Sequence, residues 1–327
     1  MKTLYHPDVL LHDTGDHAET SKRLQTFAHL PTTEVTLDEA HLALVHEPDY
    51  IATIKELCTQ GGGRWDVDTV TSPDSFSAAL TAVELTILAS ESQNFALVRP
   101  PGHHAYAKYG SGFCLFNSIA IAVQILVNQG KRVAILDFDG HFGDGTSHIF
   151  YETDQVLFCS LHQHPAFPDD KGPAENIGSG KGKGYNLNIP LPPECGDDLF
   201  MHAIHSVLPA LKQFDADVVA ISAGFDAHQN DPLLQLNVTN HSYHAIGKLL
   251  RSTFDNVFAT LEGGYNLQVL PKAIKSFIAG INDESFQPEE EKTYSPRYVR
   301  LEYEERMEVT MALFQEYWDV KMLKMPL

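Results

Sequence analysis

The chain has 327 residues, of which 43% are hydrophobic and 20% charged, a balance that supports a sizeable packed core and excludes global disorder. Its 23 lysines and arginines face 43 aspartates and glutamates, a formal net charge of −20. That excludes a general nucleic-acid surface, because binding to a phosphate backbone needs a concentrated positive field.

The N-terminal sequence MKTLYHPDVLLHD meets histidine, proline and aspartate before an apolar run can develop, so it does not read as a signal peptide. A helix is predicted over 75–92 and another over 117–130, from apolar residues at helical spacing. Strands are predicted over 132–139, 155–162, 217–226 and 256–264, each a short run rich in Val, Ile and Phe that ends in polar or glycine-rich sequence. Helices are predicted between and after them, over 197–214, 242–254 and 269–280. This alternation implies an α/β domain, a parallel sheet under helical layers, over residues 1–280. Residues 162–196 are Gly/Pro-rich with no helical period and read as a long site-shaping loop. Residues 281–327 open with the charged run NDESFQPEEEK and continue as a helix over 304–323, packed on the domain or at a homo-oligomer interface.

Four dispersed cysteines form no Cys-x-x-Cys pair, and no apolar run approaches the roughly 20 residues that span a bilayer. Together these readings predict a soluble, cytoplasmic protein.

Ligands of open α/β sheets bind beyond the carboxyl ends of the strands, and the reactive side chains of this sequence gather there. The first strand delivers Asp137, Asp139 and His141, the third Asp226 and the fourth Gly263, Gly264 and Tyr265. If the first strand continues through Asp139-Gly140-His141, a carboxylate and an imidazole share one face and converge on a cation. Asp226 would complete a three-ligand set with open positions, the pattern of a catalytic metal site. His103 and His104 offer acid–base chemistry, with Asp137 and Asp144 available to orient them. Tyr265 could donate a hydrogen bond to a developing oxyanion. His162 and His164 would shape the edge of the site, and the remaining histidines read as surface or satisfied core residues.

Six motifs carry a resemblance: RPPGHHA (99–105), GFCLFN (112–117), DFDGHFGDGT (137–146), SLH (160–162), SAGFDAHQNDPL (222–233) and LEGGY (261–265). In this order they resemble the histone deacetylase superfamily, more narrowly its class II-like branch of bacterial deacetylases and acetylpolyamine amidohydrolases. The resemblance implies the arginase/deacetylase fold, with a predominantly parallel eight-stranded sheet flanked by helices. It implies zinc, or iron(II), on Asp139, His141 and Asp226, and His103 and His104 as a catalytic pair held by Asp137 and Asp144. It implies Tyr265 as the carbonyl-polarising tyrosine. A structural potassium ion would lie on Asp137, Ser160 and main-chain oxygens that include Leu161. Asp68 would hold the substrate backbone, and Gly112 and Phe113 would wall an acyl-lysine channel. The implied substrates are acylated amines, either acyl-lysine side chains or acylpolyamines, with an unusual small amide or ester as the alternative. A two-metal ureohydrolase would need a carboxylate where this chain has Gly143. Two departures are Phe142 after the ligand histidine and HAETSKR (17–23), which keeps His17, Glu19 and Arg23 but lacks two prolines usual in the family.

Overall fold

Strands that read as near-continuous apolar runs need cover on both faces, and the computed structural model provides it. It describes residues 1–169 and 171–326; Asp170 in the 162–196 stretch and Leu327 at the end of the 281–327 segment lie outside the described residues. The strands are β1 (Thr3–Leu4), β2 (Gly63–Arg64), β3 (Val70–Thr71), β4 (Phe95–Ala96), β5 (Val133–Asp137), β6 (Val156–Gln163), β7 (Asn186–Leu191), β8 (Val218–Ala223) and β9 (Val257–Leu261). Every residue of β5 to β9 is buried. The helices are α1 (Lys22–Gln25), α2 (Pro48–Thr59), α3 (Ser75–Ser92), α4 (Ser118–Asn128), α5 (Asp144–Ile149), α6 (Asp197–Gln213), α7 (Asn240–Thr253), α8 (Leu270–Ile281) and α9 (Arg297–Phe314).

Seven strands pair in parallel in the order β1-β4-β9-β8-β5-β6-β7, while β2 and β3 form a separate antiparallel ribbon. The sheet thus has seven strands among the described residues, not the eight expected. One reason lies at the β7 edge, where Arg306 of α9 donates to the carbonyls of His164 (2.7 Å) and Pro190 (3.4 Å). Pro190 has no N–H to offer a further strand, which suits an edge position. β7 itself lies inside the stretch read as loop, and the N-terminal part of that stretch belongs to β6.

From β5 the chain runs outward through β6 and β7 on one side, and later fills β8 and β9 on the other. The switch point between β5 and β8 is where a ligand crevice forms in this kind of sheet. The register marks it chemically: Asn188, Ser160, Asp137, Ser222 and Thr260 pair in one row across five strands. Below that row β5, β6, β8 and β9 carry no charged residue and are largely apolar. Beside it Phe138 and Phe225 pack with Phe277 of α8 and Tyr243 of α7.

The acidic segment folds back on the domain. Asp197 and Asp198, the first residues of α6, accept from the backbone N–H groups of Thr293 and Ser295 at 3.0 Å each. The last helix begins at Arg297 and ends at Phe314, earlier at both ends than the 304–323 expected. Val299, Tyr303, Met307, Met311 and Phe314 form its buried stripe at helical spacing.

Candidate active site

The first strand ends at Asp137, two residues short of its predicted boundary, because its backbone is diverted to carboxylates. The N–H groups of Asp139, Gly140 and His141 donate in turn to Asp137 Oδ1 (3.1 Å), Asp226 Oδ1 (2.6 Å) and Asp139 Oδ1 (2.9 Å). Convergence of Asp139 and His141 therefore comes from a turn rather than from strand alternation. Gly263, beyond β9, donates to Asp139 Oδ2 at 2.7 Å. His141 Nδ1 lies 2.9 Å from Asp226 Oδ2 and 3.3 Å from Asp139 Oδ1. One ligand atom from each of Asp139, His141 and Asp226 falls within 4.8 Å of the others, and all three residues are buried.

This donor set suits a divalent cation. Burial, then the charge of Asp139, raises the proton affinity of Asp226. Burial also opposes ionisation of Asp139, but His103 and His141 outweigh it and hold its carboxyl far below the usual range. For His141 burial disfavours the charged form, yet Asp226 and Asp139 drive its pKa up to about 10. Two buried carboxylates thus draw positive charge to the point where a metal would sit, and their backbone bonds pre-orient them.

His103 and His104 occupy a turn fixed by Glu262, whose Oε2 accepts from the N–H groups of Gly102 (2.7 Å) and His103 (3.1 Å). Glu262 is buried, which pushes its carboxyl up to about 7 despite the opposing charge of His103. His103 Nδ1 meets Asp137 Oδ2 at 3.1 Å, and His104 Nδ1 meets Asp144 Oδ1 at 2.8 Å. The imidazole centroids are 4.0 Å apart. Their environments drive them in opposite directions. Burial works against protonation of His103, but Asp139, Asp137 and Glu262 carry its pKa well above the ordinary value. Burial, reinforced by the charge of His103, lowers His104 to about 4.

The floor of this arrangement opens into a slot of about 270 Å³ lined by Asp68, His104, Gly112, Phe113, His141, Phe167, Leu233 and Tyr265. Asp68 lies at its exposed rim. Phe113 stands edge-on to Tyr265 at 5.5 Å, and Phe167 edge-on to His104 at 5.0 Å. Gly112 separates His104 from Phe167, and a Cβ there would strike both rings. Burial raises the Tyr265 hydroxyl well above its usual pKa, which keeps it a donor. His104, His141, Tyr265, Gly112 and Phe113 thus line one slot, with Asp139 and Asp226 clustered on His141 beside it.

Ser160 and Leu161 lie one layer deeper, on β6, where Ser160 is in register with Asp137. His162 is also wholly buried, behind Phe142 (4.7 Å between rings), so it does not form the edge of the site as expected. Burial lowers its pKa to about 3. Neutral, with Nε2–H directed to the Gly172 carbonyl at 2.9 Å, it accepts the Ser160 hydroxyl proton at Nδ1 (2.9 Å).

Three supports have no role assigned from sequence, although HAETSKR retains Glu19 and Arg23. Glu262 stands inside LEGGY but acts on a turn some 160 residues earlier in the chain. Glu19 bonds both Arg99 (2.6 and 2.7 Å) and Arg23 (2.9 Å), and Arg23 in turn donates to the Glu262 and Gly264 carbonyls at 2.6 and 2.7 Å. The Arg23 guanidinium lies 4.9 Å from the Tyr265 ring centre. Lys171 donates to Asp144 Oδ2 (2.7 Å) and to the Tyr106 hydroxyl (2.9 Å), on the side of Asp144 away from His104.

Comparison with known proteins agrees with this geometry. A sequence profile of the Histone deacetylase domain matches residues 11–281. A "Probable deacetylase" of Archaeoglobus fulgidus is 40% identical over 252 residues, 72% of this chain and 70% of that protein. The solved HD domain of HDA15 superposes with a TM-score of 0.86 at 29% identity, covering 97% of this chain and 94% of that one. An acetylpolyamine aminohydrolase from Burkholderia pseudomallei superposes with a TM-score of 0.76 at 27% identity, covering 86% of this chain and 98% of that one. With its α/β arginase/deacetylase-like fold and this cluster of ligands, the chain belongs to the histone deacetylase family and is a hydrolase of acylated amines.

Proposed function

We propose that the enzyme removes acetyl or other short acyl groups from the ends of linear aminoalkyl chains, either acyl-lysine side chains or acylated polyamines. The observation that carries this reading is the placing of two carboxylate-held histidines and Tyr265 around a narrow, aromatic-walled slot beside Asp139, His141 and Asp226. Those three residues would hold zinc or iron(II), which when bound supplies a Lewis acid and acidifies water. His104, neutral and fixed through Nδ1 by Asp144, takes the proton of the attacking water at Nε2 and returns it to the leaving nitrogen. His103, held by Asp137, contributes positive charge beside the reacting centre. The Tyr265 hydroxyl donates to the oxyanion that develops on the acyl oxygen. Phe113 and Phe167 exclude water and align the chain of the substrate, while Asp68 at the rim accepts hydrogen bonds from its distal part.

Potassium fits the layer beneath. The Ser160 hydroxyl proton is directed to His162, which leaves its lone pairs free next to Asp137. The main-chain oxygens of Asp139, His141 and Leu161 would complete that site.

A ureohydrolase with two metals is disfavoured sterically as well as by sequence. A Cβ at Gly143 would fall on the Asp137 carboxylate, so no ligand side chain can extend from that position. The deciding experiment loads the enzyme with zinc or iron(II) and assays acetyl-lysine peptides, longer acyl-lysines and acetylpolyamines. Turnover of at least one class is expected; full metal occupancy with no turnover of any would overturn the reading.

A further inference from the structure

The loop after β8 carries a carboxylate that the reaction above does not use. Asp231 lies five residues beyond Asp226 and is 7% exposed. Each of its oxygens accepts one backbone N–H: Oδ2 from Tyr265 at 2.7 Å and Oδ1 from Leu233 at 3.0 Å. Its own N–H donates to the His228 carbonyl at 2.8 Å, which anchors it to the β8 loop. Tyr265 and Leu233 both line the slot but stand on different loops. The tyrosine loop is pinned on its other side by Gly263 on Asp139 and by Arg23 on the Gly264 carbonyl. Gly264 between them has φ +114°, a conformation that L side chains rarely adopt, so the direction of Tyr265 depends on these few bonds.

We infer that Asp231 is a positioning residue, which sets the Tyr265 phenol against the substrate acyl oxygen and fixes the Leu233 wall through one carboxylate. The inference rests on the reading of Tyr265 as the oxyanion donor. A carboxylate is needed because two N–H donors converge on its two oxygens. An asparagine offers one acceptor and one NH₂ group, and in either orientation one donor faces another donor. Losing such a bond to a buried carboxyl oxygen, with its N–H left unpaired, corresponds to roughly ten- to a hundredfold in rate when the displaced group acts only in the transition state.

The test is a double-mutant cycle on zinc-loaded enzyme with its best acyl-amine substrate, reading kcat, KM and bound zinc for wild type, Asp231→Asn, Tyr265→Phe and the double variant. Tyr265→Phe should lower kcat by about a hundredfold or more with zinc content unchanged. Asp231→Asn should lower kcat by about ten- to a hundredfold and raise KM severalfold. In the Tyr265→Phe background it should leave kcat within about twofold while still raising KM, because its effect on turnover passes through a hydroxyl no longer present. A loss of kcat that multiplies in both backgrounds, or wild-type kcat in Asp231→Asn, overturns the inference and leaves the role of Tyr265 standing. Near-normal turnover of Tyr265→Phe instead removes the reading of Tyr265, and this inference with it. Should Asp231→Asn not fold, Asp231→Glu, which keeps the charge and shifts both acceptors by a methylene, is carried through the same cycle with the same expected pattern.

Discussion

Gly263 shows how closely single residues constrain this site. Its N–H holds Asp139, and a Cβ at the same residue would overlap the carboxylates of Asp226 and Asp139. Neither carboxylate can retreat without losing its own backbone bond, so Gly263→Ala should spread the ligand set. The expected outcome is a loss of zinc affinity of at least tenfold, read by competition with a chromogenic chelator, with the melting temperature of the metal-free protein lowered by only a few degrees. Unchanged zinc affinity would show that the carboxylates have room to move. The ligands themselves were legible in the sequence because Asp139, His141 and Asp226 follow strand ends, and strand ends are where such folds place chemistry. Glu262, Asp231 and Lys171 were not. Each acts on a loop distant in sequence, through a backbone N–H or a shared carboxylate, and nothing in its local pattern records that partner.

At the scale of elements, hydrophobic runs revealed β5, β6, β8 and β9, and helical spacing revealed α3, α4, α6, α7 and α8. β7 escaped because NLNIPL alternates polar and apolar residues and contains a proline, features of an edge strand rather than a central one. β1 and β4 are two residues each and too short to carry a period. The predicted C-terminal helix is displaced toward the N-terminus because Pro296 sets its start and its buried stripe ends at Phe314. That stripe covers the β7 edge of the sheet, so the segment after residue 281 contributes to the stability of the domain as well as extending it. Met307 is fully buried within the stripe and does not line the slot. Met307→Ala should cost about 2–4 kcal/mol of stability, measured by urea unfolding, and leave kcat and KM unchanged at 25 °C. A change in kcat without loss of stability would instead give α9 a part in the reaction.

Across the whole molecule, the abundance of histidine has a consequence for stability that is separate from catalysis. His12 and His46 are both buried, and neither belongs to the Asp139, His141 and Asp226 cluster. His46 donates from Nδ1 to the Tyr106 carbonyl and accepts the Asn117 N–H at Nε2, both at 2.9 Å, which only the neutral ring can do. His12 bonds Ser75 at 2.7 Å. Burial lowers both pKa values from 6.5 to about 4, in His12 against the opposing charge of Glu19. Between these values the unfolded chain binds protons that the folded chain refuses, so stability rises with pH across that window. The contribution is fully present above about pH 6.5 and is lost progressively down to about pH 4, by roughly 3 kcal/mol for each residue. Net charge works the other way: the chain carries −20 at neutral pH with a pI near 5.1, and acidification relieves that self-repulsion. Salt separates the two effects, because it screens the repulsion between exposed charges but barely touches the cost of charging a buried ring. Buried Glu262, pushed up to about 7, takes up a proton over the same range and works against the histidine loss. The histidine contribution is therefore read as the difference between wild type and His46→Gln in urea unfolding in 0.5 M NaCl at pH 7 and pH 5. His46→Gln should be less stable than wild type at pH 7 and lose less on acidification. An equal loss of stability on acidification in wild type and His46→Gln would show that the His46 ring is protonated in the folded protein as readily as in the unfolded chain.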